Sequence, residues 1–273
     1  MQKQVTAKPF FTCGVPTYNR GDMLRQALHA ILNQSFRDFE LVISDNGSAD
    51  HTPQVVREFS DRRIRYVRQP QNIGLIKNIN FPIQSAHGEF FVLHQDDDML
   101  HQTFLERCHR AVQNRPDTAF FSAPVWAGEY GKGYMSSLIP APAGADADYM
   151  IKDAPVELAV GGAAVKLLVS FPFCFPSVAM RMDILRRVGG FFNESSYASD
   201  LVTLARLSTC GKVLYDSMPG AYNRRHSSNS TGGVNKSDKL LWNKRKFYLI
   251  IHALEEKGIN WEELLAAELS QMT

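Results

Sequence analysis

Cysteine is scarce and scattered: Cys13, Cys108, Cys174 and Cys210 are the four in 273 residues, and none forms a CxxC pair. That excludes a disulfide-stapled scaffold or a zinc ribbon and fits reduced packing residues in a cytoplasmic protein. Long hydrophobic runs are missing too. No segment approaches the roughly 20 apolar residues of a membrane span, and the opening MQKQVTAKPFF lacks the apolar core of a signal peptide. The expectation is a soluble chain with at most peripheral membrane contact. Charge of one sign is also absent: 30 Lys plus Arg stand against 28 Asp plus Glu, a net +2. Such a chain has no general field for nucleic acid, so any anion binding must come from local clusters. There is no internal repeat.

What the chain does have is alternation. Short apolar runs at Phe10 to Val15, Phe39 to Ser44, Ile64 to Arg68 and Phe90 to Leu93 are separated by stretches of helical period. That pattern predicts βαβ units and an α/β fold with a mainly parallel sheet flanked by helices. Thr52-Pro53 reads as a helix start, with Thr52 as N-cap, and Pro82 as a bend in the following helix. A further helix (Phe104, Leu105, Cys108, Val112) and a strand over Ala119 to Val125 complete the regular half.

From Ala127 to Met150 the pattern gives way to Gly, Ala, Pro and Ser, which predicts a functional or disordered loop. Beyond it the spacing predicts an apolar helix over Val156 to Leu168 and a strand over Phe175 to Met180. A short helix ending at Gly189-Gly190, a helix after Asp200 and strands at Lys212 to Tyr215 and Ala221 to Arg224 follow. The tail, Lys236 to Lys257, reads as a long helix in which Trp242, Phe247, Tyr248 and Ile251 lie among Lys244, Arg245 and Lys246. Such a basic, aromatic stretch usually packs one face and solvates the other; it is also the chain's candidate for contact with a membrane or partner surface. These boundaries predict a main domain over 1–230, with halves at about 9–125 and 126–230, and a C-terminal helical extension over 231–273.

In an open parallel sheet, ligands bind beyond the carboxyl ends of the strands, so the residues after each strand test for function. The first strand is followed by GVPTYNRGD (14–22), the second by SDNGSAD (44–50) and the fourth by HQDDD (94–98). Pro16 and Tyr18 can shape a tight turn and line a flat pocket, while Asn19 and the backbone donors near Asp22 can meet a base or ribose. Asp45 can accept the N–H of a pyrimidine base; an Asx-turn or helix cap is the alternative for Asp45 and Asp50. Asp96, Asp97 and Asp98 repel one another unless a cation or strong hydrogen bonds compensate. A turn after Leu93 would bring Asp96 and Asp97 toward one ion, and hard carboxylate oxygens fit Mg²⁺ or Mn²⁺ beside nucleotide phosphates.

VPTYNR (15–20), FELVISDNGSADHT (39–52), QNIGLIKNIN (71–80) and AHGEFFVLHQDDD (86–98), in that order, resemble the family 2 glycosyltransferases of the glycosyltransferase-A fold. FPSVAMRMDILRRVGGF (175–191), ASDL (198–201) and YNRRH (222–226) extend the likeness. The resemblance implies an inverting, metal-dependent transfer of a sugar from a nucleotide-diphosphate donor, a UDP-sugar above all, to a hydroxyl acceptor. A glycan or lipid-linked acceptor in cell-surface polysaccharide or glycoconjugate synthesis is implied with it.

It further implies that Asp45 contacts the base, Asp96 the ribose or donor sugar, and Asp97 the metal, with Asp98 as a second metal candidate. Asn72 and Lys77 join the donor-binding set, as do Arg224 and Arg225, which could otherwise grip an acidic acceptor. His226 is a third metal ligand or a phosphate contact, and Asp200 is the catalytic base. Two positions depart from the family pattern. His94 stands where an Asp is common, and Ser199 precedes Asp200 where a Glu is common. The Gln-x-x-Arg-Trp motif of processive synthases is absent, which favours single addition. Other classes fit less well. A nucleotidyltransferase needs a Gly-rich triphosphate loop where this chain has GVPTYNRGD, and an aspartyl phosphatase needs Asp-x-Asp where it has Pro16-Thr17-Tyr18. A catalytically silent sugar-nucleotide-binding protein would be supported only by His94 and Ser199.

Overall fold

The computed structural model describes residues 8–129, 155–169, 173, 175–192, 199–226 and 236–270. Its first half runs β1 (Phe11–Thr17), α1 (Gly21–Leu32), β2 (Phe39–Asp45), α2 (Thr52–Arg57), β3 (Ile64–Arg68), α3 (Leu75–Ser85), β4 (Phe90–Leu93), β5 (Met99–Leu100), α4 (Phe104–Val112), β6 (Thr118–Ser122) and β7 (Val125–Glu129). The second half runs β8 (Val156–Leu158), α5 (Gly162–Val169), a 3₁₀ turn (Phe175–Ser177), β9 (Val178–Arg181), α6 (Met182–Arg187), α7 (Ser199–Ser208), β10 (Lys212–Tyr215), β11 (Ala221–Arg225), α8 (Lys236–Glu255) and α9 (Trp261–Ser270).

Eight strands form one sheet in the order β3-β2-β1-β4-β9-β6-β10-β8. Pairs β3/β2, β2/β1, β1/β4 and β6/β10 are parallel, while β9 and β8 run against their neighbours. This is the mainly parallel, mixed α/β sheet that the alternation predicted. Strand side chains alternate between faces, and β4 shows why FFVL is apolar throughout. Phe90 and Val92 enter a core built with α1 and α4, whereas Phe91 and Leu93 enter another built with α5, α7 and α8.

Gly14 in β1 lets α3 close on the sheet: a Cβ there would lie 2.4 Å from Phe91 Cζ and 2.9 Å from Pro82 Cβ. Pro82 lies inside α3, which continues past it to Ser85. A second sheet, β5-β11-β7, stands at the carboxyl ends of β1 and β4, with β11 antiparallel to β5 and parallel to β7. This small sheet determines where the acidic motif goes.

Several sequence expectations need correction. The strand expected over Ala119 to Val125 is two strands in different sheets, because Pro124 has no N–H for a ladder and the chain changes sheet there. Of the irregular stretch expected over Ala127 to Met150, the first three residues belong to β7, and 130–154 lies outside the described residues. Val156 to Leu168 divides into β8 and α5, parted at Gly161, whose φ of +81° suits glycine. Phe175 to Ser177 is a 3₁₀ turn, so the strand there starts at Val178. Thr52 and Pro53 occupy the first turn of α2, but Thr52 is not the cap. Asp50 Oδ1 accepts the Thr52 N–H at 3.0 Å.

Among the described residues, no helix is long and apolar enough to cross a membrane. On α8, Lys244, Arg245, Phe247 and Tyr248 are exposed, but Lys246 is buried, so the basic run does not form one continuous surface. The side chain of Trp242 lies outside the described residues.

Candidate active site

The site is assembled where β1, β2, β4 and β11 end. Three loops are stitched together there before any ligand is considered. Asn19, at a φ of +53°, donates its N–H to Ser48 Oγ (2.9 Å) and accepts the Ala49 N–H on Oδ1 (2.7 Å). Asp50 Oδ2 accepts the Gly21 N–H at 3.1 Å, so the loops after β1 and β2 hold each other. Asn46 donates to Asn72 Oδ1 at 2.9 Å and accepts the Ile73 N–H at 2.8 Å, adding the loop before α3. Asn72 thus closes a loop, Tyr18, next to Asn19 in the chain, is 44 % exposed, and Lys77 is exposed on the first turn of α3.

Asp45 ends β2 fully buried. Oδ1 accepts the Ser48 N–H at 2.8 Å, and Oδ2 accepts the Tyr66 hydroxyl at 2.5 Å, with Arg68 Nε 3.8 Å away. The local side-chain-to-backbone bond anticipated as an alternative for Asp45 is present as a cap-like bond three residues on, and the two-residue Asx-turn is formed by Asp50 with Thr52. The Ser48 bond does not saturate Asp45, because two carboxylate oxygens offer about four acceptor sites. Burial first, and then Asp45, push the Tyr66 phenol well above its usual pKa, so it donates at neutral pH.

The acidic triplet does not act as a unit. Thr17 Oγ1 donates to Asp96 Oδ2 at 2.7 Å. Arg20 Nη1 bridges Asp96 Oδ1 at 3.0 Å and Asp97 Oδ2 at 2.6 Å, and His226 Nε2 lies 3.1 Å from that same Asp97 oxygen. Asp96 and Asp97 thus converge as expected from a turn after Leu93. Burial pushes Asp96 up to about 6, with Arg20 opposing and Asp97 adding to the rise.

Asp98 needs correction as a metal ligand. The pairing of Tyr222 with Met99 puts Asn223 beside Asp98, and Asn223 Nδ2 donates to both its oxygens at 3.1 and 3.2 Å, while the Arg224 N–H reaches Oδ1 at 3.0 Å. Its carboxylate faces β11 and away from Asp97's partners. Burial, and then the Asp97 charge, push it up to about 8 against those donors.

Arg224 likewise needs correction as a donor contact. It is 2 % exposed, and its guanidinium donates to the Asp97 carbonyl, to Gln26 Oε1 at 2.6 Å and to the Met23 carbonyl at 3.2 Å. It ties α1 to the acidic turn. The side chain of Arg225 lies outside the described residues. His94, the first departure from the family pattern, is fully buried and held down to about 4 by desolvation, hence neutral, with Nε2 at 3.1 Å from the Asp98 carbonyl. It braces the turn from below.

Asp200 opens α7, partly buried, and Oδ1 accepts the Leu201 N–H at 2.8 Å. Desolvation raises it to about 6, and Lys246 on α8 opposes the rise. Thr17, Arg20, Asn46, Tyr66 and Lys246 were not singled out from the sequence. Thr17 and Arg20 did stand in VPTYNR, Asn46 in FELVISDNGSADHT and Lys246 in the basic run of the tail, whereas Tyr66 stood only within the strand Ile64 to Arg68.

A divalent ion fits this donor set in one way. Among the described residues, no group of three or more His, Cys, Asp or Glu side chains is placed to hold a metal ion by itself. Asp97 Oδ2 and His226 Nε2 do converge, and the Arg20 guanidinium shows that a cation is accepted between Asp96 and Asp97. Mg²⁺ and Mn²⁺ sites that use one or two protein ligands and complete the shell with phosphate and water match such a partial set.

Over 89 residues, 32 % of this chain and 29 % of the relative, the sequence is 40 % identical to the GalNAc(5)-diNAcBac-PP-undecaprenol beta-1,3-glucosyltransferase of Campylobacter jejuni. Over 103 residues, 37 % of this chain and 34 % of the relative, it is 29 % identical to glycosyltransferase GlyG of Streptococcus pneumoniae. The matched stretch spans about a third or less of these curated relatives.

Among solved structures, S. aureus TarS 1-349 in complex with UDP-GlcNAc superposes with a TM-score of 0.67 at 19 % identity, covering 96 % of this chain and 72 % of that one. Mannosyltransferase PcManGT from Pyrobaculum calidifontis, in complex with GDP-Man and Mn2+, gives 0.62 at 18 % identity, covering 97 % and 74 %. The sequence model described as "Glycosyl transferase family 2" matches residues 12–187, well over half of the chain, and the protein belongs to that family.

Proposed function

We propose that this protein transfers a sugar from a UDP-sugar to a hydroxyl acceptor with inversion, using Mn²⁺ or Mg²⁺. The observation that carries the reading is the continuous chain Thr17–Asp96–Arg20–Asp97–His226 at the carboxyl ends of β1, β4 and β11. Asp45, steadied by Ser48 and Tyr66, offers acceptor capacity for the N–H of a uracil ring. Pro16, Tyr18 and Asn19 are the proposed surroundings of the base, and Lys77, which is exposed, the proposed contact for the donor phosphates. Asp96, aligned by Thr17 and Arg20, receives a ribose or donor-sugar hydroxyl.

Asp97 and His226 would hold the metal. His226 would do so through Nε2, the ring nitrogen that faces Asp97. The ion supplies positive charge that stabilises the departing diphosphate. Arg20 adds a second cation at the same place.

Asp200 accepts the proton of the acceptor hydroxyl as its oxygen bonds to the anomeric carbon. The bond from that carbon to the diphosphate oxygen breaks on the opposite face, and the electron pair leaves with UDP. A glycan or lipid-linked saccharide is the proposed acceptor, in keeping with the PP-undecaprenol compound in the name of the C. jejuni relative. Thermal shift with a panel of nucleotide sugars tests the donor assignment, since a ligand that binds only the folded state raises Tm. UDP-sugars should stabilise with Mn²⁺ and do little with EDTA. Stabilisation by GDP-sugars alone, or equal shifts in both conditions, would contradict it.

A further inference from the structure

The amino ends of β1, β2 and β3 frame an open cleft of about 1440 Å³, at the opposite end of the sheet from the acidic turn. β2 leaves the cleft at Phe39 and Glu40 and ends at Asp45, so at about 3.3 Å per residue the two places lie roughly 20 Å apart. Lys8, Arg37, Arg62, Arg63, Arg65 and Arg186 line the cleft against three acids, Asp38, Glu40 and Asp61. Two of those acids are already engaged. Asp61 accepts Arg63 Nε at 3.0 Å and Nη2 at 2.7 Å, and Glu40 accepts Thr12 Oγ1 at 2.7 Å, the His87 N–H at 2.5 Å and Arg65 Nη2 at 3.2 Å.

The remaining cations, Lys8, Arg37, Arg62 and Arg186, are exposed, and among the described residues none of them sits in an ion pair. Asp38 is the acid left to face them, and its Oδ2 accepts the Phe10 N–H at 3.2 Å. Two of these arginines are aimed by helix ends. Arg37 Nη1 donates to the Leu32 carbonyl closing α1 at 2.9 Å, and Arg186 Nη2 donates to the Ile83 and Ala86 carbonyls at the end of α3 at 3.1 and 2.6 Å. A carbonyl orients a guanidinium without removing its charge, and it leaves most of the five N–H donors for another acceptor. Like charges gathered round one opening repel, and a multivalent anion turns that repulsion into attraction. Guanidinium forks match phosphate oxygens in particular. The excess positive charge and a volume above the roughly 300–1,000 Å³ of a common ligand site suit linked phosphates better than a single one.

We propose that this cleft binds a di- or triphosphate, apart from the donor site and without a metal ion. Arg37 and Arg186 supply oriented forks, and Lys8 and Arg62 add charge from exposed side chains. Neither the metal nor the sugar-transfer reading is needed for it.

The experiment is calorimetry of the full chain with inorganic pyrophosphate in EDTA, which withdraws the ion through which the donor site would hold a diphosphate. Wild type should bind with a Kd below about 1 mM, and orthophosphate should bind about tenfold more weakly. Arg62→Gln should weaken pyrophosphate binding a few-fold, the scale of one exposed charge contact, and Arg37→Gln combined with it by about tenfold or more. Lys77→Gln, at the proposed donor phosphates, should leave the affinity unchanged. If the double variant fails to fold, Arg62→Gln alone decides, because among the described residues its side chain holds no other element in place. Displacement of pyrophosphate by ATP marks a soluble phosphate compound as the ligand, and displacement by phosphatidate vesicles instead marks a lipid headgroup. No binding of pyrophosphate, equal affinity in the wild type and the arginine variants, or a loss confined to Lys77→Gln would overturn the site.

Discussion

Replacing Arg224 by Met tests whether this arginine braces the site or binds the donor. Met keeps most of the apolar stem and removes the guanidinium. Three acceptors lose a charged donor: the Asp97 carbonyl, Gln26 Oε1 and the Met23 carbonyl. At ~1.5 kcal/mol for each charge-assisted bond, the gross loss is ~4 to 5 kcal/mol. Relief from burying the cation, 2 % exposed here, offsets part of that. The expected net destabilisation is ~3 kcal/mol, a fall in Tm of roughly 5 °C for a chain of this size. Urea unfolding gives the free energy directly, and calorimetry well below the variant's Tm gives UDP affinity with Mn²⁺. Affinity should fall by less than about tenfold, ~1.4 kcal/mol, because the guanidinium points at the protein's own carbonyls. Stability within ~0.5 kcal/mol of wild type together with abolished UDP binding would refute the bracing role and restore Arg224 as a phosphate contact.

Asp97→Asn should remove most of the difference in UDP affinity between Mn²⁺ and EDTA, read by calorimetry; an unchanged difference would move the metal elsewhere. Tyr66→Phe deletes the hydroxyl 2.5 Å from Asp45 and should weaken UDP binding several-fold, ~1 kcal/mol, equally with and without metal. Asp200→Asn should leave donor affinity near wild type and lower turnover by ~10² to 10⁴. Because burial raises Asp200 from near 4 in the unfolded chain to about 6, its contribution to stability is present below about pH 4 and lost as pH rises through 6. The Asn variant should therefore be the more stable protein above pH 6 by thermal unfolding, whereas a plain helix cap would make it the less stable. By the same shift, wild-type turnover should decline as pH falls below about 6 and Asp200 takes up its proton.

The parts of this fold that were legible in the sequence are those fixed by local periodicity. FFVL at 90–93 reads as a buried strand because every residue is apolar, and it is one. Ala119 to Val125 misled because a run of small and aromatic residues carries no sign that Pro124 sends the chain into a second sheet. In the site, Asp96 and Asp97 were legible from the crowding of like charges, whereas Asp98 is chemically identical in sequence. Only the register of β11 against β5 removes it from the pair. Arg224 and Arg225 read as a cationic cluster, yet β11 turns the first inward to brace α1. Lys246 was hidden in the basic run Lys244-Arg245-Lys246 because the burial of one basic residue in three depends on how α8 packs against the rest of the chain.

Sugar transfer itself is tested most directly by UDP release from a panel of UDP-sugars, with water or a lipid-linked glycan as acceptor, in Mn²⁺ and in EDTA. The account predicts release from at least one donor with Mn²⁺, its loss in EDTA, and its loss in both Asp97→Asn and Asp200→Asn while the latter still binds UDP. UDP binding in the wild type with no release from any donor, or release that survives EDTA and both substitutions, would contradict it.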